Sequence, residues 1–199
     1  DILSADMGLK DFAVLGDKEG FLKIRNPRWI KIHERRLRRF QKALSRKQYD
    51  RKTHTGSKNW YKAKKKVTKE QRKTADQRKD FQHKLSHSLA EDYDAVCVED
   101  LNLKGIARGL HFGKGIQDNG YGQFLSMLGY KLEERGKYLI KVDRYFASSK
   151  ICSVCGHKKK ELALSERIYL CECGNRMDRD VNAAVNILKE GKRIYKKCA

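Results

Sequence analysis

Short apolar runs separated by turn residues open the chain. These runs cover residues 2–7, 11–15 and 21–24, and Gly8, Gly16 and the segment DKEG separate them. Runs of this length, bounded by glycine and polar turn residues, are typical of strands joined by tight turns. The pattern therefore predicts an antiparallel meander of three strands at the start of the domain.

From about residue 28 the apolar positions change to the spacing of helices. The segment NPRW predicts a helix start in which Asn26 is the cap and Pro27 is the first helical residue. After a polar break, a second helix is predicted from Trp60 to about Ala90. Further along, the pattern predicts a strand at 95–98, a helix from 121, a strand at 137–143 and a final helix. This order indicates a mixed α/β layer domain with two insertions.

Charge changes this picture, because it is concentrated in the predicted helical hairpin. The chain carries 46 Lys and Arg against 25 Asp and Glu, a net charge of +21, and residues 28–84 hold 22 of the basic and 5 of the acidic residues. Such a surface indicates a polyanionic partner, since neutralising phosphates releases counterions. The alternative is a hairpin that is simply solvated.

The ends of the chain and its apolar runs bear on its location. The chain begins at Asp1 rather than Met, which suggests a piece of a longer protein. It has no signal peptide, no lipidation site and no apolar run long enough to cross a membrane. We therefore expect no membrane partner.

Four cysteines form two close pairs near the C-terminus. Cys152 and Cys155 are separated from Cys171 and Cys173 by 15 residues. Two such pairs predict a closed tetrahedral site for one structural zinc, with His157 as a substitute if one thiol cannot reach the ion. Disulfides or unpaired thiols are the alternatives. Cys97 is expected in the core, and the position of Cys198 at the C-terminus indicates no role for it.

Three acidic residues lie where an apolar element meets a loop: Asp6 in the first strand, Glu99 at the end of AVCVE, and Asp180 at the start of the last helix. Taken singly, each has an ordinary interpretation, such as a helix cap for Asp180 or Asp178. Taken together, they can converge on one point, where cations would be needed to offset their repulsion. Oxygen ligands favour Mg²⁺ or Mn²⁺.

The segments ADMGLKDFAV, VCVEDLNLKG, SSKICSVCGH and CECGNRMDRDVNAAVNI, in this order, cover nearly the whole chain. In them the sequence resembles the C-terminal part of the TnpB (OrfB) proteins of insertion sequences. These are RNA-guided DNA endonucleases related to the type V CRISPR effectors. The resemblance implies an RNase H-like (RuvC) mixed sheet flanked by helices, formed by 1–147 and 177–199. A basic helical hairpin at about 28–91 and a zinc-binding ribbon at 148–176 would be its insertions.

The resemblance also implies the chemistry of the site. Asp6, Glu99 and Asp180 would be the catalytic residues and would bind two Mg²⁺ or Mn²⁺ ions, which activate a water and stabilise the departing 3′ oxygen. The four cysteines would hold zinc. The substrate would be a single DNA strand, and the full-length protein would bind a guide RNA. The expected location is the prokaryotic cytoplasm, in association with the nucleoid.

The expected nucleic-acid contacts lie in two regions. Arg35, Arg39 and Lys65 of the hairpin would contact the backbone of an RNA–DNA heteroduplex. Near the zinc module, the substrate strand would contact Ser148, Ser149 and Lys150, and Arg179 would either steady the phosphate or be simply exposed. The glycine-rich segment 105–122 would gate access to the site.

Two alternatives stay open at this point. A compact CRISPR effector would have the same catalytic domain. A zinc-braced nucleic-acid-binding protein that regulates transposition without cutting fits the charge and the cysteines equally well. Only the three acids separate an enzyme from a binding protein. The family's guide-binding N-terminal domains are not in this sequence, so we expect the chain alone to be an incomplete enzyme.

Overall fold

A computed structural model describes residues 1–102, 105, 113–163 and 165–198. By residue contacts the chain divides into two compact units, one formed by Asp1–Pro27 with Lys84–Ala199 and the other by Arg28–His83. None of the described helices combines the length and apolarity needed to cross a membrane.

A five-stranded mixed sheet organises the first unit. Its strands, in chain order, are β1 (Ile2–Met7), β2 (Asp11–Gly16), β3 (Phe21–Arg25), β6 (Ala95–Glu99) and β7 (Tyr138–Val142). The strand order is β3-β2-β1-β6-β7, in which β1 to β3 form the predicted antiparallel meander, and β1, β6 and β7 run parallel. The sequence pattern located β1, β2 and β6 because each contains a continuous run of buried residues.

Helices cover both faces of this sheet. The described helices of the unit are α3 (Gly113–Asn119), α4 (Tyr121–Glu133) and α5 (Arg179–Cys198). On one face, Ile187 of α5 packs into a buried cluster with Cys97 of β6 and Val142 of β7. A Cβ on Gly191 would lie 2.1 Å from the Cys97 Sγ atom, so α5 approaches the sheet as closely as a glycine allows. On the other face, α4 lies against Leu139 of β7, whose Cδ2 atom would be 3.4 Å from a Cβ on Gly129. Phe124 of α4 also packs edge-on against Phe12 of β2, with ring centres 5.3 Å apart.

The four cysteines lie in residues 148–176, which we call the cysteine segment. Its strand β8 (Ile168–Leu170) forms a short antiparallel pair with β9 (Arg176–Asp178). β9 runs directly into α5, whose first residue is Arg179. The cysteine segment is therefore joined to the helix that carries Asp180 without an intervening loop.

The second unit is a helical hairpin. It contains α1 (Trp29–Ser45), the two-residue strands β4 (Tyr49–Asp50) and β5 (Thr55–Gly56), and most of α2 (Lys58–Asp92). Trp29 contacts Phe81, with ring centres 5.3 Å apart, and the His33 Nδ1 atom lies 2.8 Å from Glu70 Oε1. Because early residues of α1 meet late residues of α2, the helices run antiparallel.

Two predictions at helix ends are corrected here. Asn26 does not cap α1 and Pro27 is not its first residue, because α1 begins at Trp29 after Arg28, a residue with a φ of 53° and no side-chain cap. The Asn26 amide instead donates a hydrogen bond of 3.0 Å to the Leu9 carbonyl, a tertiary contact that sequence pattern does not show. Helix α2 begins two residues before the predicted Trp60.

The gating prediction for 105–122 falls partly on 106–112, outside the described residues.

Candidate metal centres

Strand register brings Asp6 and Glu99 to the same face of the sheet. In the parallel pair β1 and β6, Ala5 lies opposite Val98, so the next residues on the two strands are Asp6 and Glu99. Side chains alternate along a strand, and Ile2 of β1 packs against the cluster that contains Cys97 and Ile187. The two carboxylates therefore lie on the face that α5 covers, at the carboxyl ends of adjoining strands.

The first turn of α5 supplies the third carboxylate, Asp180. Its neighbour Asp178 is the cap of the helix, because its Oδ1 atom accepts hydrogen bonds from the backbone N–H groups of Asp180 at 2.9 Å and Val181 at 3.3 Å. Lys23 of β3 also binds Asp178, at 2.5 Å. Since Asp178 does the capping, the side chain of Asp180 is not needed for it.

Electrostatics shows that these carboxylates share one neighbourhood. Burial raises the pKa of Asp6 well above its usual value, and the negative charges of Glu99 and Asp180 raise it further. Burial also raises the pKa of Glu99, although the hydrogen bond donated by Ser148 Oγ partly offsets this. Oxygen donors with raised pKa values are an arrangement that a hard divalent cation stabilises, so the donor set fits Mg²⁺ or Mn²⁺.

The four cysteines form the second centre. Their Sγ atoms all lie within 4.8 Å of one another, and the three carboxylates do not come that close together within the described residues. The Cys152–Cys173 and Cys155–Cys171 sulfur distances are 3.7 and 3.6 Å. A tetrahedral zinc with bonds of about 2.3 Å places its sulfurs roughly 3.8 Å apart, whereas a disulfide needs about 2.05 Å. The thiols are free, so the disulfide alternative is wrong for these four residues.

Hydrogen bonds favour the ligand form of one of these thiols. Although burial acts to raise the pKa of Cys152, hydrogen bonds from the backbone of Cys155 and Val154 and from the Asn175 side chain lower it to about 6. His157 is not part of the sulfur group; its backbone carbonyl accepts a hydrogen bond of 2.8 Å from the Cys152 N–H. Cys97 is fully buried in the sheet, as predicted. The cysteine group can hold one closed, four-coordinate ion.

Two buried asparagines, which the sequence analysis did not single out, attach the cysteine segment to α5. Asn182 accepts a hydrogen bond of 2.9 Å from the Ser153 N–H and donates one of 2.7 Å to the Ile151 carbonyl. Asn186 donates bonds of 2.7 Å to the carbonyls of Ser148 and Ile151. Their signal in the sequence is a pair of polar residues at i and i+4 on the otherwise apolar face of a helix.

Ser148 connects the two centres. Its carbonyl is held by Asn186, and its hydroxyl donates to Glu99 Oε1. Ser148 is buried. A chain of contacts thus runs from α5 through the start of the cysteine segment to the carboxylate on β6.

The other predicted nucleic-acid contacts occupy different surroundings. Arg179 donates a hydrogen bond of 2.9 Å to the Ala163 carbonyl, and Lys150 donates one of 3.2 Å to the Lys160 carbonyl, so both side chains also brace the cysteine segment. Ser149 is partly buried. On the hairpin, Arg35, Arg39 and Lys65 are exposed. Their binding roles stay predictions.

The fold and its two groups of ligands define an α/β domain built around a carboxylate centre and a thiolate centre. Residues 1–109 match the OrfB_IS605 family, described as "Probable transposase", and residues 121–187 match the family "Cas12f1-like, TNB domain". The chain therefore belongs to the OrfB_IS605 (TnpB) family.

Relatives of known name agree with this assignment. The chain is 37% identical over 186 residues to a "Putative RNA-guided DNA endonuclease" of Streptomyces pristinaespiralis, covering 94% of this chain and 44% of the relative. It is 27% identical over 209 residues to "Putative RNA-guided DNA endonuclease InsQ" of Escherichia coli K12, covering 97% of this chain and 50% of the relative. The chain thus spans about half the length of these relatives.

A solved structure shows the same fold. The chain superimposes with a TM-score of 0.66 and 20% identity on a protein chain of the "Cryo-EM structure of the Cas12f1-sgRNA-target DNA complex", covering 94% of this chain and 49% of that one. The expected mixed α/β fold, with a mixed sheet flanked by helices, is confirmed.

Proposed function

We propose that this chain is the RuvC-type, RNase H-like nuclease domain of an RNA-guided, transposon-associated endonuclease that hydrolyses DNA phosphodiesters. The observation that carries the proposal is the register that places Asp6 beside Glu99 at one end of the sheet, with Asp180 near enough for its charge to raise the pKa of Asp6. These residues lie far apart along the chain and come from β1, β6 and α5. In the proposal, residues 1–147 and 177–199 form the nuclease domain, and 148–176 form its zinc ribbon.

Each carboxylate has a distinct role in this proposal. Asp6, whose pKa is raised by the charges of Glu99 and Asp180, would be the central ligand of the cations, and Glu99 and Asp180 would complete their coordination. Two divalent cations bound there would supply an activated water and a positive charge at the departing oxygen. Asp6 and Glu99 are partly exposed, and the burial that raises their pKa values also strengthens their interaction with charge. Ser148 orients the Glu99 carboxylate through its hydroxyl.

Zinc has a structural role in this proposal. Four thiolates leave no open position for a substrate, so the ion braces the ribbon without taking part in the reaction. The ribbon in turn positions Ser148 through the asparagines of α5.

Nucleic-acid partners follow from the same proposal. Two relatives are named RNA-guided DNA endonucleases, and the structural relative was solved with a guide RNA and target DNA. We infer that a guide RNA pairs with the DNA target, that the basic hairpin holds nucleic acid by its backbone, and that one DNA strand reaches the carboxylates. A DNA substrate would place the protein at the nucleoid of a prokaryotic cell.

Cleavage of labelled single-stranded DNA tests the proposal. The chain is assayed alone and joined to the N-terminal half of a relative with its guide RNA, each with Mg²⁺ and with EDTA. Asp6→Ala and Glu99→Gln should abolish cleavage. The matched control is Asp100→Asn, which follows Glu99 but is exposed and paired with Arg144 at 2.5 Å, and it should cleave like the wild type.

Equal nicking by wild type and Asp6→Ala would assign the activity to a contaminant and overturn the proposal. Binding without Mg²⁺-dependent cleavage in either form would support the non-catalytic regulator instead. Cleavage only in the joined form would show that the chain is an incomplete enzyme, as we expect.

A further inference from the structure

Two neighbouring cavities in the hairpin join into one groove between α1 and α2. The larger cavity has a volume of about 820 Å³ and the smaller about 430 Å³, and Phe40 and Lys66 line both of them. Along α2 the groove extends from Asn59 to Gln77. Eighteen residues of helix correspond to about 27 Å, which is long enough for several nucleotides of an extended strand.

The lining of this groove is strongly cationic. Its basic residues are Arg36, Lys47, Lys62, Lys66, Lys69, Arg72 and Lys73. Its two acids are compensated locally, because Glu70 is buried against His33 and lies 3.3 Å from Arg36, and Asp76 lies 3.6 Å from Arg72. The groove therefore presents an excess of positive charge to any molecule that enters it.

Four lysines of α2 form a regular row along the groove. Lys62, Lys66, Lys69 and Lys73 follow one another at intervals of four, three and four residues, the spacing that aligns side chains on one side of a helix. All four side chains are exposed. A regular row of like charges is unfavourable by itself, and it complements a partner whose negative charges are also regularly spaced.

An aromatic ring lies within the same groove. Phe40 is partly buried, and the Arg36 guanidinium lies 5.5 Å from its ring centre. An apolar ring beside a cationic track supplies a surface on which a base or sugar can stack. An acidic peptide would use the cations but has no flat group for this ring.

We propose that the groove between α1 and α2 binds a single phosphodiester strand, with the lysine row on its phosphates and Phe40 against a base or sugar. This inference rests on the proposed nucleic-acid function and makes it specific to one side of the hairpin. Of the residues singled out from the sequence, Arg35, Arg39 and Lys65 do not line the groove.

A charge-matched pair of variants tests the groove. The groove variant combines Lys66→Gln, Lys69→Gln and Lys73→Gln. The control combines Lys31→Gln, Lys42→Gln and Lys79→Gln, which are exposed residues of the same two helices outside the groove. Both lose three charges. Circular dichroism establishes that both keep their helices, and the single change Lys69→Glu is a second groove variant.

Binding is measured by fluorescence anisotropy in magnesium-free buffer with 20-nucleotide single-stranded DNA, single-stranded RNA and an RNA–DNA duplex, between 50 and 200 mM salt. We expect the groove variant to bind single strands at least about tenfold more weakly than the control. Its slope of log affinity against log salt should fall by about 2, the value for three lost phosphate contacts on a single strand. Phe40→Leu should weaken the binding of single strands more than the binding of the RNA–DNA duplex.

Equal losses of affinity in the two triple variants would overturn the proposal that the groove is the binding site, because total charge alone would then explain binding. No loss of affinity in either variant would show that the hairpin does not bind nucleic acid. The proposed nuclease function is tested separately, by the Mg²⁺-dependent cleavage assay with Asp6→Ala. Poly-glutamate tests the alternative that the groove binds an acidic peptide. If it bound as tightly as the oligonucleotides and lost affinity in the groove variant, the groove would be a site for acidic peptides.

Discussion

Replacing Ser148 by alanine isolates the contact between the cysteine segment and the carboxylate centre. The change removes the hydroxyl that donates to Glu99 Oε1 and leaves the Ser148 carbonyl, which accepts from Asn186 at 2.7 Å. The attachment of the segment to α5 is therefore kept. Only the hydrogen bond to the carboxylate is lost.

The size of the effect follows from the charge and burial of Glu99. A hydrogen bond to an ionised group contributes about 1.5–3 kcal/mol, which corresponds to a fall of roughly 10- to 150-fold in cleavage rate at limiting Mg²⁺. The same bond lowers the pKa of Glu99, against the burial that raises it. Without it the pKa rises further, so the acid limb of the cleavage profile should move to higher pH.

Cleavage rates across pH and Mg²⁺ concentration measure both effects. Ser153→Ala is the matched control, because Ser153 is also buried in the segment but its hydroxyl contacts the Met177 sulfur at 3.3 Å. Wild-type rates and an unchanged acid limb in Ser148→Ala would refute the reasoning. Loss of zinc from the variant would show that the damage is structural instead.

Two further predictions concern stability and metal content. Asp6→Asn removes a carboxylate whose pKa is raised on folding. The variant should therefore have a higher free energy of unfolding at pH 7 without Mg²⁺, and each kcal/mol gained should raise Tm by about 2–4 °C. Because the folded wild type holds its proton longer than the unfolded chain, this gain should shrink as pH falls toward 3.8, and calorimetry showing a lower Tm at pH 7 would contradict it. Cys171→Ser removes one of four ligands, so mass spectrometry should show the zinc content fall from about one per chain; a wild type without zinc would refute the site.

Much of the sheet and the grouping of the four cysteines could be predicted because their signals are local. Apolar strands bounded by glycine located β1 to β3, and the spacing of the cysteines indicated their common site. Asp6 and Glu99 could be paired because each lies in the last two residues of a largely buried strand, and the register of β1 with β6 then places them side by side.

What escaped prediction depends on partners distant in the chain. Asn26 has the chemistry of a cap, but the fold directs its amide to the Leu9 carbonyl. Asn182 and Asn186 look like ordinary helix residues until the backbone of 148–153 lies beside them. The groove of the hairpin likewise depends on how α1 and α2 are rotated about their axes, which decides which cations face one another.

The attachment of the cysteine segment to α5 has a consequence for exchanging parts between proteins of this kind. Among the described residues, the side-chain hydrogen bonds of Asn182 and Asn186 to the segment go to main-chain groups, namely the carbonyls of Ser148 and Ile151 and the N–H of Ser153. Every residue offers a carbonyl, and every residue except proline offers an N–H. A ribbon of foreign sequence that kept its four cysteines would thus fit against this helix if its backbone followed the same path, and a serine at position 148 would supply the contact to Glu99.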